Sequence, residues 1–276
     1  MPTLDNVRTQ RLERWCQTPE THLPGPEAAG DLIDRVGVAT LFAASPEIPN
    51  LFHAYVGNPN EKADAEWDSP AGQVFGWRWE LGRPERAFYA VLVRNRPTWI
   101  SWELLPSILR LRGELRMPDE LYDLGELSEN AYRIARALEE SDGALSTGEL
   151  REAAGFPTGK ENRAAYLKAI DELDRRLLVA KVFSPNVHDM SHALVRVRYR
   201  GYADAADTVS REEALDRFLR AYLPSAVYAL PTVLAKHLGL AEEELRGGLM
   251  RLVEYGTAEA TAIEGVKGAC YVWRPS

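Results

Sequence analysis

The side chains able to do chemistry are sparse in this chain and poorly grouped. Five histidines stand at His22, His53, His188, His192 and His237. His188 and His192 are four apart, but "SPNVHDMSH" reads as a loop, and no third metal ligand lies near them. The two cysteines, Cys16 and Cys270, form neither a CxxC pair nor a four-ligand cluster, so a structural zinc is not expected. No metal and no cofactor are expected at all. G-x-S-x-G, Walker A and G-x-G-x-x-G are absent. "PTGKENR" sets a glycine beside a lysine without a phosphate-loop frame and reads as a linker between helices. Asp31, Asp34, Glu47 and Asp68 have the chemistry of general bases, although the sequence pairs none of them.

The arginines are better grouped. Between residues 78 and 116 there are eight arginines and four glutamates, in a chain whose net charge is −8 and whose pI is about 5.3. A negative total counts against a simple nucleic-acid binder, but a phosphate responds to the local field. The same region holds tryptophans, and exposed aromatics beside arginines stack bases. In "VFGWRWEL", however, Phe75, Trp77, Trp79 and Leu81 alternate with Gly76, Arg78 and Glu80. A period of two predicts a strand with Trp77 and Trp79 in the core and the arginines outside. "PERAFYAVLVRN" reads as a buried helix with a strand as the alternative. "RPTWISWELLPSILRLRG" reads as a strand or turn, then a short helix after Pro106.

The elements that must position these groups sharpen from Ser128 onward. "SENAYRIARALEESDG" is an amphipathic helix with Ser128 as cap and Ala131, Ile134, Ala135 and Leu138 on one face. "STGELREAAGF" carries a capping box, Ser146 with Glu149, and ends at Gly155. "KENRAAYLKAIDELDRRLL" places Tyr166, Ile170, Leu173 and Leu177 on an inner stripe. "LVAKVF" and "ALVRVRYR" read as the two strands of a wing. Three helices and a two-stranded ribbon make a winged helix-turn-helix. Its third helix turns Lys168 and Arg175 outward, with Ala164 and Ala165 near the exposed N-terminal half and Glu161, Asp171 and Glu172 alongside. On the wing strand, Arg196, Arg198 and Arg200 alternate and would share one face, a surface suited to phosphate.

The pattern then returns. "SREEALDRFLRAYL", "LPTVLAKHLGL" and "AEEELRGGLMRLVEYG" are three helices, followed by "TAEATAI", a turn at "EGVKG", and "ACYVWRP". Leu150 matches Leu234, Gly155 matches Gly239 and Phe156 matches Leu240, all at an offset of 84 residues. The third helix of this second copy faces outward with Glu243, Gly247, Met250 and Glu254. Carboxylates there repel phosphate, so this copy is expected to pack against another domain or a protein partner.

The helix "PEAAGDLIDRVG", the segment "LFHAYVG", the block "FGWRWELGRPERAFYAVLVRNRPTWIS", the "LSTGELREAAGF" helix-turn-helix and the C-terminal winged helix together carry a resemblance. Over residues 26–276 the chain resembles the AlkZ/YcaQ-type winged-helix DNA glycosylase family, and its divergent relatives more closely. The resemblance implies three tandem winged helices lining a concave surface that binds duplex DNA. It also implies metal-free excision of bulky alkylated or crosslinked bases. The family's signature, a glutamine, a hydrophobic residue, then glutamine or aspartate, falls where this chain reads "VGVATLFAAS". The nearest equivalents are Thr40, Leu41 and Phe42, so no catalytic residue carries over.

The expected fold is α+β and mostly helical: three tandem winged-helix-like domains, each with a small antiparallel ribbon. The expected boundaries are a loosely held arm at 1–25, then domains at 26–124, 125–203 and 204–276. The start lacks the apolar core of a signal peptide and no run spans a membrane, so a cytoplasmic location is expected. The first expectation for function is duplex DNA binding in repair or maintenance, through Arg78, Arg94, Arg96, Lys168, Arg175, Arg196 and Arg198. The second is an active glycosylase using Asp31, Asp34, Glu47 or Asp68. The third is a protein-interaction scaffold that works through its acidic third winged helix.

Overall fold

The structure, a computed structural model, describes residues 3–141, 143–156, 159–186 and 189–275. The chain opens with helix α1 (Leu4–Arg14). A first unit follows: α2 (Pro26–Val36), β1 (Val38–Thr40), α3 (Leu51–Val56), α4 (Pro70–Gly82), β2 (Phe88–Val91) and β3 (Pro97–Ile100). Helices α5 (Leu105–Arg112) and α6 (Pro118–Asp123) lead to the second unit. It comprises α7 (Glu129–Glu139), β4 (Leu145–Ser146), α8 (Thr147–Ala153), α9 (Lys160–Arg175), β5 (Val179–Phe183) and β6 (Met190–Leu194). After α10 (Val195–Arg198) and α11 (Arg200–Thr208) comes the third unit. Its elements are α12 (Arg211–Ala226), β7 (Tyr228–Ala229), α13 (Pro231–Leu238), α14 (Glu242–Glu254), β8 (Ala258–Thr261) and β9 (Cys270–Trp273).

Each unit carries one three-stranded antiparallel sheet, and all three sheets share an order: the unit's first strand pairs with its third, which pairs with its second. Helix, short strand, helix, helix and wing therefore recur three times, as tandem winged-helix-like domains. The local reasons are legible. Ser128, Ser146 and Ser210 each accept a backbone N–H at the start of their helices, and Ser146 and Glu149 complete a capping box. Gly155 and Gly239 stop equivalent helices in the left-handed region, at φ 69° and 67°, where a side chain is strained. No helix among the described residues is long and apolar enough to cross a membrane.

Four expectations are corrected. "VFGWRWEL" is not a strand but most of α4, capped by Ser69 with Pro70 in its first turn. Ala71, Val74, Trp77 and Leu81 bury one face of the helix, and Trp79 is buried on its flank. Phe183 of β5 packs edge-on to Trp79, 5.4 Å between centroids. Only a strip at Gln73, Gly76 and Glu80 is open, so the four large apolar residues all fall within one wide buried arc. Both tryptophans are core, as the alternation predicts, though the helix and not a pleat puts them there. "PERAFYAVLVRN" takes the alternative: it holds β2, paired with β3 from Phe88↔Ile100 to Val91↔Pro97.

"ALVRVRYR" is not a wing strand throughout. The ladder ends at Val179↔Leu194, and the Val195 N–H makes a last bond to the Leu178 carbonyl. Beyond that point no strand is left to pair with, so the backbone satisfies itself as α10 and α11. Arg196, Arg198 and Arg200 therefore do not share a pleated face.

The N-terminal segment is not loosely held. Arg11 is only 3% exposed. Its guanidinium donates to the carbonyls of Ala226 (2.7 Å), Pro46 (2.9 Å) and Tyr228, and to Glu47 Oε1 (3.0 Å). Glu47 Oε2 accepts from the Tyr222 hydroxyl (2.9 Å) and the Leu230 N–H (3.1 Å). One ion pair thus ties α1, the first unit and the third unit together.

Two cores result. One is shared: apolar residues of the first unit, α5 and the third unit form a single cluster, with α12 against both α5 and α2. The second unit has a separate core around Leu121, Ile134, Leu150, Tyr166 and Leu173. It reaches the larger body through Phe183, which packs against Trp79, Tyr89 and Trp99. Gly82 lies directly beneath, where a Cβ would sit 2.2 Å from the Phe183 ring.

His192 on β6 is buried in the second unit, and its partner His188 in the proposed pair lies outside the described residues. Burial, helped by Lys181, pushes the His192 pKa down to about 3. The unfolded value is about 6.5, so the native ring stays neutral and the unfolded ring takes the proton first. Its contribution is therefore complete above about pH 6.5 and is lost as pH falls toward 3, on the order of 3 kcal/mol by pH 4. A His192→Gln variant is expected to lose stability less steeply than the parent between pH 6.5 and 4. Parallel denaturation curves across that window would reject the assignment.

Candidate nucleic-acid interface

The exposed face of α9 begins with Lys160, Glu161, Arg163 and Ala164 and continues through Leu167 and Lys168. The inner stripe, Tyr166, Ala169, Ile170 and Leu173, fixes this orientation. Lys160, Arg163 and Lys168 form no ion pair among the described residues. The carboxylates farther along are committed elsewhere. Glu172 accepts from the Ser128 N–H (3.0 Å) and hydroxyl (2.6 Å), which anchors the start of α7. Asp171 pairs with Arg175 at 2.7 Å and Asp174 with Lys181 at 2.9 Å. Burial raises the Asp174 pKa against the pull of Lys181. The N-terminal half of α9 is therefore basic, open and small-sided at Ala164. Lys160 and Arg163 had not been singled out in the sequence: Arg163 lies seven residues before Ile170, beside the inner stripe by helical period, and is open because it falls in the first turn, beyond the core.

The other cations separate by what holds them. Arg78 donates Nε to the Phe75 carbonyl (3.0 Å) and lies 3.4 Å over the Phe75 ring, tied to its own helix. Arg196 pairs with Asp207 at 2.7 Å, Arg198 with Glu85 at 3.0 Å and Arg200 with Asp204 at 3.5 Å. The Arg198 pKa is raised, first by its hydrogen bond to Glu85. Arg94 and Arg96 sit at the wing turn of the first unit, both exposed. Arg94 donates to the Ala44 carbonyl at 3.1 Å and forms no ion pair among the described residues, nor does Arg96. The structure leaves Lys168, Arg94 and Arg96 uncompensated by carboxylates and gives Arg175, Arg196 and Arg198 partners.

Of the four carboxylates, two share one arginine and the other two stand elsewhere. Asp31 and Asp34 lie on the outer face of α2, 2.8 and 2.5 Å from Arg86. The Arg86 pKa is raised, chiefly by its hydrogen bond to Asp34. Glu47 is sealed by Arg11 and Tyr222. Asp68 is exposed, one residue before the cap of α4. Thr40 and Leu41 are buried. Phe42 is half-buried and lines a pocket of about 290 Å³ with Asp64, Glu66, Trp67 and Phe75.

On α14, Glu243, Met250 and Glu254 face solvent, as the helical period predicts. Its two arginines are neutralised, Arg246 by Glu242 and Arg251 by Asp216. The arginines of α14 itself therefore offer a phosphate no free cation.

No curated protein sequence matches the chain. Among solved structures, the Streptomyces sahachiroi DNA glycosylase AlkZ is similar in fold. The TM-score is 0.61 at 14% identity, over 99% of this chain and 70% of that one. The family described as AlkZ related matches residues 23–223, which take in the first unit, the second unit and most of α12. With the thrice-repeated winged helix and most of its length matched, the chain belongs to the AlkZ-related family.

Proposed function

We propose that this chain is a cytoplasmic duplex-DNA-binding protein of DNA repair or maintenance that engages DNA with α9 of its second unit. The observation that carries the reading is the open, basic N-terminal half of that helix. In winged-helix DNA binders the third helix enters the major groove and the wing grips the backbone. Lys160, Arg163 and Lys168 supply phosphate contacts there, and Ala164 allows close approach. Arg94 and Arg96 add two further cations on the wing of the first unit. Arg175, Arg196 and Arg198 enter only by exchanging a carboxylate for a phosphate, so they contribute less, and Arg78 must first leave Phe75. The carboxylates at Asp31, Asp34 and Glu47 are committed to arginines. The residues nearest the family's glutamine signature are Thr40, Leu41 and Phe42. The reading is therefore binding without base excision.

The test is duplex affinity against salt. Binding is expected to weaken steeply between about 50 and 200 mM salt, as counterion release requires. Replacing Lys160, Arg163 and Lys168 by alanine together is expected to flatten the log–log slope by about 1 per cation. Negligible affinity at low salt, or an unchanged slope in the triple variant, would turn the reading toward a protein-interaction role centred on Glu243 and Glu254.

A further inference from the structure

The cleft between α1, the first unit and the third unit has a volume of about 730 Å³, within the roughly 300–1,000 Å³ typical of small-molecule sites. It contains none of the α9 residues. Three cations reach it from three separate elements: Arg8 on α1, Arg94 at the wing turn of the first unit, and Lys267 at the wing turn of the third. All three are exposed, and none forms an ion pair among the described residues. No carboxylate lines the cleft. Glu47 lies behind Arg11, with one oxygen on that arginine and the other on Tyr222 and Leu230.

The local field is correspondingly positive. His237, whose Nδ1 lies 2.7 Å from the Ser45 hydroxyl of the rim, has its pKa lowered, first by burial and then by Arg94 and Lys236. Arg94 and Asn95 both take left-handed backbone conformations, φ 50° and 56°. Such strain in two successive non-glycine residues persists where the surroundings over-determine it. Here it holds the Arg94 side chain against the Ala44 carbonyl at the cleft wall.

The floor is of another kind. Trp15, Ile48, Leu230 and Val266 give it apolar surface. Trp15 is 3% exposed, and its indole Nε1 has no hydrogen-bond partner. An apolar floor beneath a rim of cations matches a molecule with a flat, weakly polar end and an anionic end.

We propose that this cleft binds the phosphate monoester of a nucleotide, with the phosphate held between Arg8, Arg94 and Lys267 and the base over the floor at Leu230 and Val266. The nucleotide is either free or the 5′ end of a DNA strand, and the phosphate chemistry is the same for both. The experiment uses the full chain with 5′-dAMP, and with one short duplex carrying either a 5′-phosphate or a 5′-hydroxyl, followed by calorimetry and tryptophan fluorescence. Saturable binding that depends on the phosphate is expected. Arg94→Ala and Lys267→Ala are each expected to weaken it by roughly tenfold or more. Lys267 lies in an exposed turn, so that variant keeps the test valid if Arg94→Ala misfolds. Arg217→Ala, exposed on α12 and paired with Glu213, should leave it unchanged. Tighter binding of the 5′-phosphorylated duplex than of the 5′-hydroxyl duplex supports a strand-end site, and equal binding of the two duplexes beside saturable dAMP binding supports a free-nucleotide site. Absence of saturable binding to either, or binding indifferent to both variants, overturns the proposal. Failure of α9-dependent duplex binding alone does not, because dAMP binding is read separately.

Discussion

Replacing Arg11 by methionine is expected to destabilise the whole protein by roughly 3–5 kcal/mol, the usual cost of breaking a buried ion pair from one side. Methionine keeps much of the volume and removes the charge. Glu47 then stays behind as a buried carboxylate whose remaining partners are the Tyr222 hydroxyl and the Leu230 N–H. The carbonyls of Ala226, Pro46 and Tyr228 lose a donor at the same time. The Arg11 guanidinium also covers the Tyr228 ring at 3.5 Å and the Trp15 ring at 4.9 Å. Burial alone would lower the Arg11 pKa, but Glu47, Tyr222 and Tyr228 outweigh it and raise it, so the cation is the form the fold selects. Urea unfolding gives the global figure, and hydrogen exchange in α1 and around Tyr228 gives the local one. A loss under about 1 kcal/mol would mean that the pair only balances its own desolvation, the other known outcome for buried pairs.

Phe183→Ala is expected to cost about 3–5 kcal/mol and to change how the protein unfolds. Phe183 belongs to the wing of the second unit but packs in the larger core, against Trp79 at 5.4 Å, Tyr89 at 5.5 Å and Trp99 at 6.0 Å. The gap left by the ring cannot be closed by small shifts, because three large aromatic side chains define its walls. The second unit keeps its own core around Ile134 and Leu173, so it need not melt with the rest. Calorimetry should therefore resolve two transitions in the variant, with the upper one belonging to the body formed by the first and third units or to the second unit alone. A single transition at the parent melting temperature would show that the junction rests on other contacts.

Much of the second and third units was legible because their signals are local. A serine cap is read within three residues, and a left-handed glycine within one. The offset of 84 residues between Gly155 and Gly239 survives as closely matching φ values, 69° and 67°. The first unit was harder. Helix α4 is buried over so wide an arc that its apolar residues mimic alternation, and the partner that buries Trp79 lies 104 residues downstream, at Phe183. α1 looked loose because its anchor is a charge, and the carboxylate that makes burial tolerable is Glu47, 36 residues away.

The candidate interface divided along the same line. Lys168 follows from helical period alone, whereas Arg163, seven residues before Ile170, is open because it stands in the first turn of α9. Arg196 and Arg198 were misplaced because a strand's end depends on where its neighbour's pairing stops, and their neutralisation by Asp207 and Glu85 is a tertiary fact. The cleft between the wings was beyond reach, since Arg8, Arg94 and Lys267 share nothing in the sequence except their charge.

The shared core of the first and third units sets an order of events during synthesis. α5 emerges with Leu105, Ile108 and Leu109 to bury, but α12, which packs against it, ends at residue 226. At about 5–20 residues per second, the first unit waits on the order of 5–20 s for that partner. The second unit, made in the interval and sufficient in its own core, is in a position to fold before the unit that precedes it. The ribosome thus presents a half-built body with an apolar helix uncovered, and that interval is when a holding chaperone has the most to protect.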